Sequence, residues 1–263
     1  LVRLNPKSVL NLPTPVTGVE SLIKIFVGSN NELTSQYNVR GGSYDENLIY
    51  VNDFEIFRPY LVRSGQQEGL SFINPAMVRH INFYNGGFQA RYGDKMSSVL
   101  DIQYNTPNKF GGSAYVSLLE QGAHVEGVST NKKLTYILGV RNRSNENLLS
   151  SQPTEGAYVP SSSDAQALLG YRFSDKWQAE VLGNVSSTRF SFAPSYTQLT
   201  SAVFSPYFTS SLGMDIYFEG QEKDAYTTQM LGASTTYQPA KNLKLKWLLS
   251  TFQNKEEENI DIA

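Results

Sequence analysis

From Gly111 to the end of the chain, polar and apolar residues alternate with a period of two, and this rhythm restricts the fold more than any other feature. Leu134, Tyr136, Leu138 and Val140 fall on one face of an extended segment, with Thr135, Gly139 and Arg141 on the other. Ala165, Ala167, Leu169, Tyr171 and Phe173 oppose Gln166, Gly170 and Arg172. Trp177, Ala179, Val181 and Val185 oppose Gln178, Glu180, Asn184 and Ser186, and Leu243, Leu245, Trp247 and Leu249 oppose Lys244, Lys246 and Ser250. Residues i and i+2 share a face in a β-strand and not in a helix. The polar face is interrupted by Leu168, Leu182 and Leu248. The pattern predicts about seven strands, with an eighth beginning in Glu256 to Ala263.

The links between these strands alternate in length. Asn131 to Lys133, Ser174 to Lys176 and Pro239 to Asn242 are short, whereas Asn145 to Asp164 and Arg189 to Asp224 are long. Short turns at one rim and long loops at the other are the habit of outer-membrane barrels. A soluble sandwich has more uniformly short turns. Composition alone fits either: charged residues are 17%, below the roughly 25% usual in soluble domains, and there are 16 Tyr and 14 Phe. The link lengths favour the barrel. No apolar run approaches the roughly 20 residues of a membrane helix, but barrel strands need only about ten of alternating polarity.

Residues 1–105 have a different rhythm. Val19, Leu22, Ile23 and Phe26 stand at helical spacing, with Gly28 as a stop. Gln36 to Arg40 and Leu48 to Val51 are predicted strands. Asn52–Asp53 is a turn before a returning strand at Phe54 to Phe57. Asn74–Pro75 opens a short helix through Arg79, and Ile81 to Tyr84 and Ser97 to Tyr104 close the unit as strands. Short mixed elements of this kind predict an α+β domain.

Two glycine motifs punctuate that unit. Arg40–Gly41–Gly42 lies in YNVRGG, followed by NLIYVND. Gly86–Gly87–Phe88 leads through Arg91–Tyr92–Gly93 to SSVLDI at 97–102. With this context, Tyr37 to Ile102 closely resembles the plug domain of TonB-dependent outer-membrane receptors, in the form common in the Bacteroidetes lineage. The resemblance implies a membrane β-barrel of about 22 antiparallel strands with an α+β plug inside it. Residues 1–105 would be the plug and 106–263 the first, incomplete part of the barrel. A barrel of eight strands encloses only side chains, so a longer polypeptide is expected. Leu1 opens in mid-domain sequence without an initiator Met or signal peptide, so an N-terminal portion is expected upstream.

The implied function is active import of a ligand across the outer membrane of a Gram-negative bacterium, with the plug gating the barrel. The alternative is a plugged-barrel component of a surface complex without transport. The implied partners are TonB, through a segment before Leu1, outer-membrane lipid and a surface lipoprotein. In related receptors two plug arginines pair with barrel glutamates. Here Arg40 fits the first. Asn85 stands where the second is common, and Arg91 is the nearby substitute. Glu120, Glu126 and Glu180 are acidic candidates within this chain, with glutamates of later strands favoured. Loops facing outward bind cargo in such receptors, which selects Tyr44 and Asp45 together with Arg58, Tyr60, Arg63, Gln66 and Gln67, aromatic and amide groups suited to a polar ligand.

Other chemistries find little support. There are no cysteines, which excludes disulfides and thiolate metal sites. A net charge of -2 argues against nucleic acid. His80 and His124 are far apart, and Glu256–Glu257–Glu258 is a solvated charge run. No catalytic set, cofactor or metal site is expected.

Overall fold

The computed structural model describes residues 2–5, 18–27, 36–57, 70–93, 97–144, 156–158, 160–194, 197–205, 208–216 and 220–261. The N-terminal part is a five-stranded sheet. Its strands are β1 (Val2–Leu4), β2 (Asn47–Val51), β3 (Phe54–Glu55), β4 (Val78–Tyr84) and β5 (Ser98–Tyr104), in the order β1-β4-β5-β2-β3. Only β2 and β5 run parallel. Helix α1 (Val19–Val27) buries Val19, Leu22 and Ile23, but Phe26 is exposed. Glu20 in its first turn and Lys24 in its last both suit the helix dipole.

The β2–β3 turn is built as its sequence demands. Asn52 and Asp53 have φ of 51° and 69°, the left-handed pair of a two-residue hairpin, and Val51 pairs with Phe54 across it. Asn52 also accepts from Tyr104 N–H at 2.8 Å, tying the turn to β5. The returning strand is shorter than expected, ending at Glu55. The Asn74–Pro75 helix is a 3-10 turn, Pro75–Met77, and β4 starts at once. Gln36 to Arg40 is not a strand. Tyr37 and Val39 are buried in alternation, yet the backbone joins no ladder and turns at Arg40 and Gly41, with φ of 51° and 80°.

The C-terminal part is one antiparallel sheet that winds back and forth. Strands β6 (Gly111–Val116), β7 (Glu120–Val128), β8 (Leu134–Ser144), β10 (Ser161–Ser174), β11 (Trp177–Pro194), β14 (Gln221–Ala240) and β15 (Leu243–Asp261) lie in chain order. Short β9 (Gly156–Tyr158) adds to β11. Strands β12 (Thr197–Ser205) and β13 (Phe208–Ile216) form a separate hairpin, so the predicted long link after Arg189 contains structure of its own. Glu256 to Asp261 continues β15 rather than starting an eighth strand. The β6–β7 link at 117–119 is short although it lies at the long-link end.

Polarity in this sheet is inverted relative to a soluble protein. Arg141, Arg143, Asp164, Gln166, Asn184 and Asp224 are buried, while Leu138, Val140, Leu169, Val181, Val185, Leu231 and Leu245 are exposed. The buried face looks toward the five-stranded sheet. The outward face carries an apolar band, as from Trp177 to Val185 on β11, roughly the length an outer-membrane strand needs. Exposed Tyr171, Phe173, Trp177, Tyr237 and Trp247 line the short-turn end. Phe173 stacks on Trp177 at 4.4 Å, and Trp177 Nε1 donates to Thr235 Oγ1 at 2.7 Å. Amphipathic rings gathered at one edge of an apolar band match an interfacial aromatic girdle. Leu168 and Leu182, which interrupt the alternation, face inward with Ile137 and Met230 and join the core of the smaller sheet.

Candidate functional site

The residues that join the two sheets form the candidate site. The segment Leu70 to Asn74 runs outside any regular ladder, so its backbone acceptors need partners from elsewhere. Barrel-type strands supply them. Arg141 of β8 donates to Ile73 O at 2.8 Å and Ser71 O at 2.7 Å, and Gln166 of β10 donates to Phe72 O. Three successive carbonyls are thus held by two side chains. Arg141 is itself fixed by Asp164, its cross-strand neighbour; Nε reaches Oδ1 at 3.0 Å and Nη2 bonds Oδ2. This two-pronged geometry is the strong form of such a pair. Both side chains are almost wholly buried, at 3% and 2% exposed. Tyr104 donates to Gln166 Oε1 at 2.7 Å, and Asn105 donates to Glu126 at 2.6 Å.

Close backbone approach completes the seam. A Cβ at Gly139 would meet Asn74 and Met77 within 2.8 Å, and one at Gly232 would meet the Phe54 ring at 2.9 Å. At Gly139 and Gly232 the larger sheet presents bare backbone to Asn74, Met77 and Phe54.

Glu20 lies near the same seam. It is fully buried, Ser71 Oγ donates to Oε1, and Oε2 has no hydrogen-bond partner. Burial pushes its carboxyl above the ordinary value of 4.5, against the opposing pull of Ser71, its own backbone, Arg141 and Lys24. The stability this group contributes is whole below about pH 4.5 and is lost as pH rises through the raised folded value. Glu20→Gln is therefore expected to remove one pH-dependent loss above pH 4.5 and to be the more stable form at neutral pH. Each unit of the shift corresponds to about 1.4 kcal/mol. Urea midpoints of wild type and variant across pH check this; parallel curves would refute it.

The expected site residues are distributed unevenly. Arg40 sits in the left-handed turn, where Gly42 N–H donates to Val39 O at 3.0 Å. A Cβ on Gly86 would come within 2.7 Å of its Nη1, so the two glycine motifs meet. Arg40 is exposed, and among the described residues no carboxylate pairs with it. Glu120 accepts from Tyr115, Glu126 is bonded to Asn105, and Glu180 stands in β11 opposite Gly170 and Ser234. Arg91 pairs with Asp53 at 3.4 Å and Asp101 at 3.5 Å within the smaller sheet, and Asp53 in turn pairs with Lys246 of β15. Tyr44 is half-buried, its carbonyl accepting from Asn47 at 3.1 Å, and Asp45 is exposed beside it. Arg58, Tyr60, Arg63, Gln66 and Gln67 lie outside the described residues.

Sequence reasoning missed Arg141, Asp164, Gln166 and Lys246 as joining residues. A signal existed: all four fall on the polar face of the period-2 pattern, the face turned to the smaller sheet.

Comparison with known proteins agrees with this architecture. Residues 3–99 match the family model of the TonB-dependent Receptor Plug Domain. No curated protein matches the chain. The crystal structure of the siderophore receptor PirA from Acinetobacter baumannii is similar with a TM-score of 0.53 and 13% identity, over 98% of this chain and 48% of that one. PirA from Pseudomonas aeruginosa is similar at 0.51 and 14%, over 98% and 50%. The chain thus spans about half the length of these solved relatives, and at such identity the likeness speaks to the fold. Residues 3–99 thus match the plug domain of TonB-dependent receptors, and nearly the whole chain shares its fold with part of two solved siderophore receptors.

Proposed function

We propose that the chain forms the plug and part of the barrel of an outer-membrane receptor that actively imports a ligand in a Gram-negative bacterium. In this reading residues 1–105 are the plug, and 106–263 contribute strands to a closed barrel of about 22. TonB supplies the energy through a segment before Leu1, outer-membrane lipid contacts the apolar band, and a surface lipoprotein is a candidate companion. The observation that carries the reading is the inverted polarity of the large sheet. Its buried face bonds to a plug-family domain and its exposed face is apolar. Open sheet edges do not persist in lipid, which supports closure by further strands.

Cargo is proposed to contact Arg58, Tyr60, Arg63, Gln66 and Gln67, with Tyr44 and Asp45 at the neighbouring turn. Arg40, exposed and beside Gly86, is proposed to meet a carboxylate of a later strand. The solved relatives are siderophore receptors, so a ferric siderophore is the first ligand to test. Changing Arg58, Tyr60 and Arg63 together to Ala is expected to weaken binding at least about tenfold, since each lost hydrogen bond is worth about 1 kcal/mol. Binding by the purified receptor and uptake by cells measure this. Unchanged affinity and unchanged uptake would remove the loop from recognition.

A further inference from the structure

Charged side chains join the two sheets at two places, and the two differ in kind. One is the Arg141 and Gln166 seam on three plug carbonyls, braced by Asp164 and sealed from water. The other lies toward the short-turn end, where Lys246 of β15 meets Asp53 in the β2–β3 turn. Here the side chains are 24% and 29% exposed.

Asp53 is an unusual choice for its position. Its φ of 69° is left-handed, and the second place of such a turn favours glycine. The side chain that bears this strain is fully used. Its Oδ2 takes Lys246 Nζ, and its Oδ1 takes Arg91 Nη1 at 3.4 Å. Arg91 continues inward to Asp101 at 3.5 Å and lies over the Tyr92 ring at 4.4 Å. Asp101 is buried in β5. Charges therefore alternate in sign from the wall to the plug interior: Lys246, Asp53, Arg91, Asp101.

We propose that Asp53 is the releasable latch of the plug, with Lys246 as its keeper on the wall and the Arg141 seam as the fixed attachment. This deepens the plugged-transporter reading and rests on it. Magnitude decides which contact lets go. Lifting the plug from the Arg141 seam breaks buried, charge-assisted bonds to Ser71 O and Ile73 O together with the Gln166 bond to Phe72 O, whereas a water-exposed pair exchanges its partner for solvent at small cost. The polarity, acid on the plug and base on the wall, is the reverse of the arginine–glutamate arrangement expected of Arg40.

The test uses the full-length receptor in its own outer membrane, with susceptibility to vancomycin, too large to cross an intact outer membrane, as the readout of an unlatched plug. Lys246→Gln and Asp53→Gly are each expected to lower the inhibitory concentration about fivefold, the scale of one partly exposed pair. Because Asp53→Gly already removes the Lys246 contact and also frees Arg91, the double variant is expected to match Asp53→Gly. Asp53→Gly suits the left-handed turn, so it keeps the hairpin folded should Lys246→Gln assemble poorly; heat-modifiable mobility on gels reports assembly of the barrel. Unchanged susceptibility in assembled singles, or effects that multiply in the double, overturns the latch. Deleting residues 1–105 is the separate control. If that deletion does not sensitise cells, the plugged-channel reading itself falls, and the latch with it.

Discussion

Arg141→Ala is expected to destabilise the attachment of plug to wall by about 3–5 kcal/mol, the cost of breaking a buried pair from one side. The truncation strands the Asp164 carboxylate, which is 2% exposed, and removes the donors to Ser71 O and Ile73 O. Gln166 retains its bonds to Phe72 O and Asp164, so one carbonyl of three stays held. Urea titration of the full receptor, following plug and barrel separately, measures the loss. Replacing both partners, Arg141→Met with Asp164→Leu, is expected to cost less than Arg141→Ala alone, because no charge is left stranded. A single variant that behaves like wild type would show that the seam contributes nothing to attachment.

Leu138→Arg is expected to cost about 2–4 kcal/mol if the residue lies near the bilayer midplane. Leu138 is 47% exposed and sits mid-strand between Val125 and Ala167, surrounded by apolar outward neighbours. On a soluble protein the same change at so exposed a position would be almost neutral, so the experiment separates the two environments directly. Folding free energy in lipid vesicles, compared with an identical change at Ser163 beyond the apolar band, gives the contrast. Equal effects at both positions would refute the lipid-facing band.

The strands of the large sheet are legible because one face packs on the smaller sheet with polar side chains and the other is apolar and exposed, so polarity switches at every step of two. Their ends are not. β14 begins at Gln221, where Gln221 to Asp224 are polar on both faces and the hydrophobic period fades while the backbone ladder continues, and β11 runs to Pro194, where Phe190 and Phe192 keep an apolar face turned inward instead of outward. The β12–β13 hairpin lies in a stretch rich in Ser, Thr, Pro, Tyr and Phe that reads as loop, because its apolar residues do not alternate cleanly. Gln36 to Arg40 shows the converse failure: Tyr37 and Val39 bury alternately, but alternation records burial and not hydrogen bonding. The glycine motifs located the plug, and Arg40 lying against Gly86 brings the two together in space. Pairings across the seam were beyond reach. Arg141 and Asp164 meet only once the register of β8 and β10 is known, and Asp53 and Lys246 are 193 positions apart.

The edge position of β1 has a mechanical consequence. This strand pairs with β4 through Val2, Arg3 and Leu4 alone, and it is the N-terminal border of the smaller sheet. A load applied from the N-terminal side would reach those three pairs before the parallel β2–β5 core or the Arg141 anchor felt any tension. The plug would then yield in steps, first shedding its border strand at low force and only later straining the seam. A pulling trace on the intact receptor should show a short, weak extension preceding any larger event. Such a hierarchy would free the border strand under a modest tug while the rest of the smaller sheet stays bonded to the larger one.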